Sequence, residues 1–161
     1  MCYDKRGGWR FTISKNYLKE GILWGVKIKN PIGQIFRKYN VVEYKSPKDT
    51  LNIDDLFKTV GYAMFYKGTS KRVDEIGADE LTVSMFVYAT PRGLFRKLKN
   101  LEIEIEKTAP GVYHIAQILN VPVQVIVIKE LDDDEHTALK LLSFYFKSRS
   151  RDLARDLRQR S

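Results

Sequence analysis

The segment that most restricts the fold is an apolar run carrying two charges and ended by a proline, Val41-Val42-Glu43-Tyr44-Lys45-Ser46-Pro47. β-Branched and aromatic residues favour a strand, and proline cannot continue its hydrogen-bond ladder. Because successive side chains of a strand point to opposite faces, Glu43 and Lys45 are predicted to share one face. A carboxylate beside an ammonium can hold a divalent cation and position a water molecule or a phosphate oxygen. Phosphodiester hydrolysis needs both groups, so the pair is a candidate site for it, although the Glu-x-Lys spacing alone is a weak signal and equally fits an ordinary ion pair.

An amphipathic helix is predicted directly after this strand. Asn52 is a favourable N-cap with Asp55 three residues later, and Gly68 can end the helix. Its apolar stripe consists of Ile53, Leu56, Phe57, Val60 and Met64. Lys58 and Tyr62 are four residues apart, so they are predicted to share a face.

Similarity to a known family extends over residues 32–37, 40–47, 52–56 and 61–63 and, further along the chain, over residues 79–84, 110–113, 122–124 and 129–132. These segments resemble a family of bacterial proteins assigned to the PD-(D/E)xK nuclease superfamily. The resemblance covers most of the chain from about residue 26 to residue 142. It implies an α/β fold with a mixed central sheet flanked by helices, built on a restriction-endonuclease-like core.

The resemblance also implies roles for individual residues. Glu43 would be a metal ligand for Mg²⁺ or Mn²⁺, and Lys45 would orient water or stabilise charge. Some nucleases of the superfamily carry a Gln and a Tyr on the following helix, and Lys58 stands where that Gln would be, with Tyr62 after it. We therefore include Lys58, Tyr62 and Ser46 as candidate substrate-binding residues. The alternative for Lys58 is a surface lysine beside a half-buried tyrosine.

The superfamily pattern requires an acidic residue on the strand before the Glu-x-Lys strand, because one carboxylate seldom holds a hard cation alone. No such residue is obvious in this chain, and Glu20 is the nearest carboxylate upstream. Two interpretations remain: Glu20 replaces the missing ligand, or the ligand has been lost. We favour the second, which would leave the metal site incomplete.

Residues 1–25 show neither helical nor alternating periodicity and are predicted to be irregular. One hypothesis is that the chain lacks an original amino-terminal part that carried the acidic ligand. Residues 26–146 are assigned to a single nuclease-like domain, because no linker rich in proline, glycine or serine divides them. Residues 147–161 are assigned to a basic helical tail.

The formal net charge of +8 favours a polyanionic partner, and DNA is the expected one. Half of this excess lies in the tail, which holds six basic and two acidic residues, so a solvated terminal helix is an alternative interpretation. Cys2 is the only cysteine, which excludes a disulfide framework and fits a reducing, cytoplasmic compartment. No membrane association is expected, and a homodimer is one form that the chain could take.

Further elements are predicted as a strand at 81–89, a short helix at 91–98, strands at 101–107 and 121–128, and a helix near 139–146. The alternating glutamates of the third element, Glu102, Glu104 and Glu106, indicate a solvated strand face. The acidic run at 131–136 precedes a helical pattern, where negative charge is favourable without a metal. No nucleophilic Ser or Cys motif accompanies His114 or His136, so acyl transfer has no support.

The leading hypothesis is a Mg²⁺-dependent, DNA-cleaving domain centred on Glu43 and Lys45. A second hypothesis keeps the nuclease fold without catalysis, as a nucleic-acid-binding module. A third is a protein-interaction domain that uses Tyr62, Tyr66, Tyr88 and the carboxyl-terminal helix. An ordinary exposed ion pair on an edge strand is the structural alternative to a site at Glu43 and Lys45.

Overall fold

The computed structural model describes residues 30–132, apart from the side chain of Gln117, and the backbone of residues 10–15, 18–19, 22–23 and 26–27. The strands of this part are β1 (Arg10–Lys15), β2 (Leu18–Lys19), β3 (Ile22–Leu23), β4 (Val26–Lys27), β5 (Tyr39–Tyr44), β6 (Leu81–Val87), β7 (Ile105–Ala109), β8 (Val112–Ile118) and β9 (Val121–Val127). The helices are α1 (Pro31–Gln34), α2 (Ile53–Gly68) and α3 (Arg92–Asn100). Single 3-10 turns occupy Ala78–Glu80 and Ile128–Glu130.

Six of these strands form one mixed sheet in the order β1-β5-β6-β9-β8-β7. The three central strands β5, β6 and β9 are parallel, while β1, β8 and β7 pair antiparallel with their neighbours. A separate small sheet has the order β2-β3-β4. The predicted α/β class with a mixed sheet and flanking helices is confirmed.

Helices α2 and α3 cover one face of the large sheet and form the main core with it. Leu56 and Val60 of α2 and Leu94 and Leu98 of α3 are buried. They pack in one cluster with strand residues that include Val41, Val83, Met85, Val123 and Val125. The predicted stripe of α2 is confirmed at Leu56 and Val60, but Phe57 is exposed on the outer side of the helix.

The opposite face of the sheet has its own apolar cluster. Its buried members are Ile32, Val112, Ile126, Ile128 and Leu131. Gln124, which interrupts the apolar pattern of β9, is completely buried and donates hydrogen bonds to the Ile32 carbonyl at 2.9 Å and to Ser84 Oγ at 2.8 Å. These bonds tie the segment around α1 to the middle of the sheet.

Most predicted elements have observed counterparts, although two predictions for the second half need correction. The strand predicted at 101–107 begins only at Ile105, because Glu102 adopts a left-handed φ of 58° in the preceding turn. Glu102, Glu104 and Glu106 are exposed, as the solvated-face interpretation requires. Strand β8 was not predicted, and it follows a tight turn in which Gly111 has a φ of 72°.

The amino-terminal segment also differs from the expected irregular structure. Within residues 1–25, Arg10–Lys15 forms β1 and pairs with β5, while β2 and β3 form part of the small sheet. The predicted helix near 139–146 and the basic tail at 147–161 lie outside the described residues, as does most of the acidic run at 131–136. In the part of the chain that the structure describes, no helix combines the length and the apolar character needed to cross a membrane.

Candidate active site

The Glu43–Lys45 pair lies at the carboxyl end of β5, an internal strand between β1 and β6. The Lys45 Nζ atom lies 3.5 Å from Glu43 Oε1, which confirms that the two residues share a face. That face is covered by α2, so Glu43 is only 4% exposed and Lys45 only 2% exposed. The backbone N–H of Lys45 donates to the Phe86 carbonyl at 2.8 Å, which extends the pairing with β6 by one residue. The alternative of an exposed ion pair on an edge strand is therefore wrong.

A second carboxylate joins this pair from the first turn of α2. The Lys45 Nζ atom lies 3.0 Å from Asp55 Oδ2 and 3.5 Å from Glu43 Oε1. Asp55 is held in place by the predicted cap: its carboxylate accepts from the Asn52 N–H at 3.0 Å, and its own N–H donates to Asn52 Oδ1 at 3.0 Å. The capping box thus positions Asp55 as a counterion for the ammonium.

Thr59, one turn further along α2, completes the cluster. Its hydroxyl is hydrogen-bonded to Glu43 Oε2 and, at 2.8 Å, to the Asp55 carbonyl. A hydroxyl has a single proton to donate. Thr59 therefore donates to an ionised Glu43, whereas a protonated Glu43 can donate to Thr59 and free the hydroxyl proton for the Asp55 carbonyl.

Burial raises the pKa of the Glu43 carboxyl above its ordinary value of 4.5. The nearby Asp55 charge acts in the same direction, whereas the Thr59 hydroxyl and the Lys45 ammonium oppose it. Glu43 Oε1 is buried and accepts no hydrogen bond within the described part of the chain, and its contact with Lys45 is the longer of the two ion pairs. Glu43 therefore combines a raised pKa with a buried oxygen that the described residues leave without a hydrogen bond, and titratable groups with perturbed pKa values are frequent at functional sites.

The candidate substrate-binding residues have mixed outcomes. Lys58 Nζ lies 5.9 Å from the centroid of the Tyr62 ring, which confirms that the two share a face of α2. Both side chains are half-buried. Ser46 follows Lys45 directly, and its carbonyl accepts from the Asp49 N–H at 2.9 Å in the turn after β5. Substrate contact by these three residues stays a prediction.

Asp55 and Thr59 were not predicted as site residues. The sequence explains Asp55 completely as the third helical position of a capping box, so nothing in the pattern suggests a second role. Thr59 lies four residues after Asp55, and this spacing on one helix face is the signal that could have identified it.

The acidic ligand that the resemblance requires is not found on the neighbouring strand. β1 pairs antiparallel with β5, with Phe11 opposite Glu43, and its sequence Arg-Phe-Thr-Ile-Ser-Lys contains no carboxylate. Glu20, the proposed replacement, lies outside the described residues. Within the described ranges, no group of three or more His, Cys, Asp or Glu side chains is arranged to hold a metal ion.

Two carboxylates, Glu43 and Asp55, nevertheless lie on either side of the Lys45 ammonium, and Glu43 Oε1 accepts no hydrogen bond from the residues that the structure describes. Mg²⁺ is commonly held by one or two carboxylates and keeps several water ligands. Carboxylate oxygens are the ligand type that Mg²⁺ and Mn²⁺ prefer, and the described residues supply two carboxylates here. In comparisons with known proteins, no family model, no curated protein and no solved structure matches this chain.

Proposed function

We propose that this chain is a metal-dependent nuclease domain of the PD-(D/E)xK type, with a restriction-endonuclease-like core, that acts on DNA phosphodiesters. The observation that carries the proposal is the burial of Glu43, Lys45 and Asp55 together at the carboxyl end of β5. Removing three charges from water is costly, and buried ion pairs are often no more stable than apolar residues in their place. A functional role accounts for a cluster that stability alone does not favour.

The position of β5 in the sheet supports the same proposal. The strand with the Glu-x-Lys spacing has an antiparallel neighbour, β1, on one side and a parallel neighbour, β6, on the other. α2 connects β5 to β6 and packs over the charged pair. This mixed arrangement agrees with the one that the sequence resemblance implies. It also lets Asp55 and Thr59 of α2 contact the charged pair.

Glu43 and Asp55 are the residues that would hold Mg²⁺ or Mn²⁺. Glu43 Oε1 is suited to the role because it is buried and none of the described residues donates a hydrogen bond to it. A divalent cation supplies positive charge against the charge that develops on the phosphate during hydrolysis. Thr59 fixes the other Glu43 oxygen, so the carboxylate is oriented before any ligand binds.

Lys45 would stabilise negative charge on the phosphoryl oxygens. Its ammonium is preorganised by Asp55 at 3.0 Å and by Glu43 at 3.5 Å, so little reorganisation accompanies the reaction. Lys58, with Tyr62 beside it, and Ser46 next to Lys45 are proposed to contact the DNA backbone. Lys58 would add a second positive charge for a phosphate.

A second candidate function is a nucleic-acid-binding module that does not cleave. Two observations favour it: Asp55 already accepts from Asn52 and pairs with Lys45, and β1 supplies no carboxylate. In that case Lys45 takes the place of the metal as the permanent counterion of both carboxylates. The net charge of +8 would then provide affinity for phosphates without chemistry.

Plasmid nicking in Mg²⁺ or Mn²⁺ tests both candidates. We expect Glu43→Gln and Lys45→Met each to lose about 100-fold or more of the activity, and a chelator to abolish it. The matched controls are Glu80→Gln and Lys38→Met, which break an ion pair of 2.9 Å elsewhere in the fold and should retain activity. Circular dichroism of each variant establishes that it is folded.

The outcomes separate the candidates. Equal activity in the wild type, Glu43→Gln and Lys45→Met would exclude both residues from the mechanism. A wild type that does not cleave but binds DNA with an affinity that falls steeply with salt would support the second candidate. Neither cleavage nor binding would leave the protein-interaction hypothesis.

A further inference from the structure

A groove of about 460 Å³ opens between α3 and β7, at the edge of the large sheet opposite β1. Its apolar lining consists of half-buried side chains that also pack against the main core: Phe95, Ile103, Ile105 and Tyr113. Binding sites for small organic groups have volumes of about 300–1,000 Å³ and are lined mainly by apolar and aromatic side chains. The groove therefore has the size and the lining of a ligand site, and its described lining shares no residue with the candidate active site.

Two aromatic rings are held side by side in this groove. The ring centroids of Phe95 and Tyr113 lie 5.0 Å apart at an interplanar angle of 49°. The Tyr113 hydroxyl donates to Glu130 Oε2 at 2.5 Å, and the same oxygen accepts from Lys107 Nζ at 3.1 Å. These bonds fix the Tyr113 ring before any ligand enters. Unpaired nucleic-acid bases bind to such aromatic surfaces by stacking.

Helix α3, which borders the groove, carries positive charge only. Its four charged residues are all exposed: Arg92, Arg96, Lys97 and Lys99. None of the four forms an ion pair with another residue that the structure describes. Within this part of the chain no close partner neutralises their charge, and clustered lysine and arginine side chains attract the phosphates of nucleic acids.

The charged rim of the groove distinguishes between classes of ligand. Lys99 lies on it together with Glu102 and Glu104, which belong to the segment before β7. A purely apolar ligand would leave these charges unused. A nucleotide uses both signs, because its phosphate is anionic and the amino group of cytosine or adenine can donate to a carboxylate.

We propose that the groove binds one unpaired base of a DNA strand, with the neighbouring phosphates on the cations of α3. The inference rests on the DNA-directed function proposed above and specifies its substrate further. A base inside a duplex cannot enter an aromatic pocket until it is extruded or its partner strand is absent. The substrate is therefore DNA with a single-stranded or unpaired region.

The register of the sheet relates the groove to the candidate active site. Four cross-strand partners form one row on the face that α2 and α3 cover: Glu43 on β5, Met85 on β6, Val125 on β9 and Tyr113 on β8. Tyr113 is thus three strand spacings from Glu43, or about 14 Å. At about 3.4 Å per nucleotide of a B-form strand, this separation corresponds to about four nucleotides. One DNA strand can therefore place a base in the groove and a phosphate near the site.

Fluorescence anisotropy with two labelled strands tests the proposal. One is a short strand of deoxycytidines, and the other is an abasic strand of the same length, which keeps the phosphates but has no bases. The full chain is measured in the presence of a chelator, so that cleavage does not contribute. We expect the deoxycytidine strand to bind about tenfold more tightly than the abasic strand, because only the former can stack.

Three variants assign this preference to the groove. Phe95→Leu keeps an apolar side chain but removes the ring, so most of the tenfold preference should be lost. The matched control, Phe65→Leu, makes the same change at a phenylalanine of α2 that is 73% exposed, and should keep the preference. Arg96→Gln should weaken the binding of both strands by a similar factor, because it removes a phosphate contact.

Equal affinity of the wild type for the two strands would overturn the proposal, and this comparison does not depend on the folding of any variant. A preference that a folded Phe95→Leu protein retains, or that Phe65→Leu loses equally, would also overturn it. Plasmid nicking decides the proposed function separately. A protein that nicks plasmid without distinguishing the strands keeps the nuclease function and loses this inference, whereas one that prefers bases without cleaving keeps the inference alone.

Discussion

The Lys45 ammonium lies 3.0 Å from the Asp55 carboxylate, and both side chains are almost completely buried. Asp55 belongs to the capping box of α2, so one carboxylate satisfies the start of a helix and compensates a buried charge on the preceding strand. This relationship couples the local stability of α2 to the electrostatics of the candidate active site. The stability of the fold and the integrity of the site can therefore be tested with the same variants.

Removing the ammonium should destabilise the protein strongly. Lys45→Met leaves the carboxylates of Glu43 and Asp55 buried without their counterion, and breaking a buried pair in this way typically costs about 3–5 kcal/mol. Urea unfolding at neutral pH measures the difference. The control is Lys38→Met, whose partly exposed pair with Glu80 should contribute less than about 1 kcal/mol.

A combined variant tests the cause of this loss. Glu43→Gln and Asp55→Asn, added to Lys45→Met, remove all three charges and should recover part of the lost stability, because no uncompensated charge is then buried. A Lys45→Met protein as stable as the wild type would show that the ammonium is not the counterion of this cluster.

The Thr59 hydroxyl should matter more than its methyl group. Thr59→Val removes the hydrogen bond to Glu43 from a fully buried position and should cost about 1–3 kcal/mol. Thr59→Ser keeps the hydroxyl and should lose only about 1 kcal/mol for the methyl group. Chemical denaturation of the two variants provides the comparison. Equal losses in both would mean that packing, and not the hydroxyl, is what Thr59 contributes.

The stability of the protein should respond to pH through Glu43. Burial raises the pKa of this carboxyl in the folded state above 4.5, so the folded protein holds the proton more tightly than the unfolded chain does. The stabilising contribution of the protonated form is complete below pH 4.5 and is lost as the pH rises through the raised pKa. The measurement is the free energy of unfolding of the wild type relative to Glu43→Gln at a series of pH values.

The stability of the wild type relative to the variant should fall as the pH rises above 4.5. Over this range the wild type must ionise a buried carboxyl, whereas the amide introduced by Glu43→Gln stays neutral. Other titrating groups are common to both proteins and largely cancel. A difference that stays constant, or that grows in favour of the wild type, would contradict the raised pKa.

Two glycines should respond in opposite directions to the same substitution. Gly111 has a φ of 72°, and an added Cβ would lie 2.7 Å from the Val127 carbonyl oxygen, so Gly111→Ala should cost about 1–3 kcal/mol or more. Gly93 lies in α3, and no atom of the described residues is within 4 Å of an added Cβ, so Gly93→Ala should gain up to about 1 kcal/mol. Thermal unfolding of the pair checks both signs. A neutral Gly111→Ala would show that the turn before β8 relaxes.

Local pattern was sufficient for several elements. The capping box at Asn52 and Asp55 and the buried positions Leu56 and Val60 predicted α2, because caps and helical periodicity act within a few residues. The same reasoning failed at β8, in which His114 and Gln117 interrupt the apolar sequence. The alternating pattern also predicted the start of β7 too early. Glu102 belongs to the alternation, but its left-handed φ ends any extended backbone there, and the sequence pattern does not reveal that angle.

The amino-acid sequence by itself determined that Glu43 and Lys45 share one face of a strand, because the two-residue period of extended backbone requires it. Only the tertiary structure decided that this face is buried. That outcome depends on β5 lying between β1 and β6 and on α2 folding back over it, contacts that no local pattern encodes. The same packing brings Asp55 and Thr59 into contact with Lys45 and Glu43. In the sequence these two residues are only a helix cap and a threonine on a helix face, and they become site residues because α2 packs against β5.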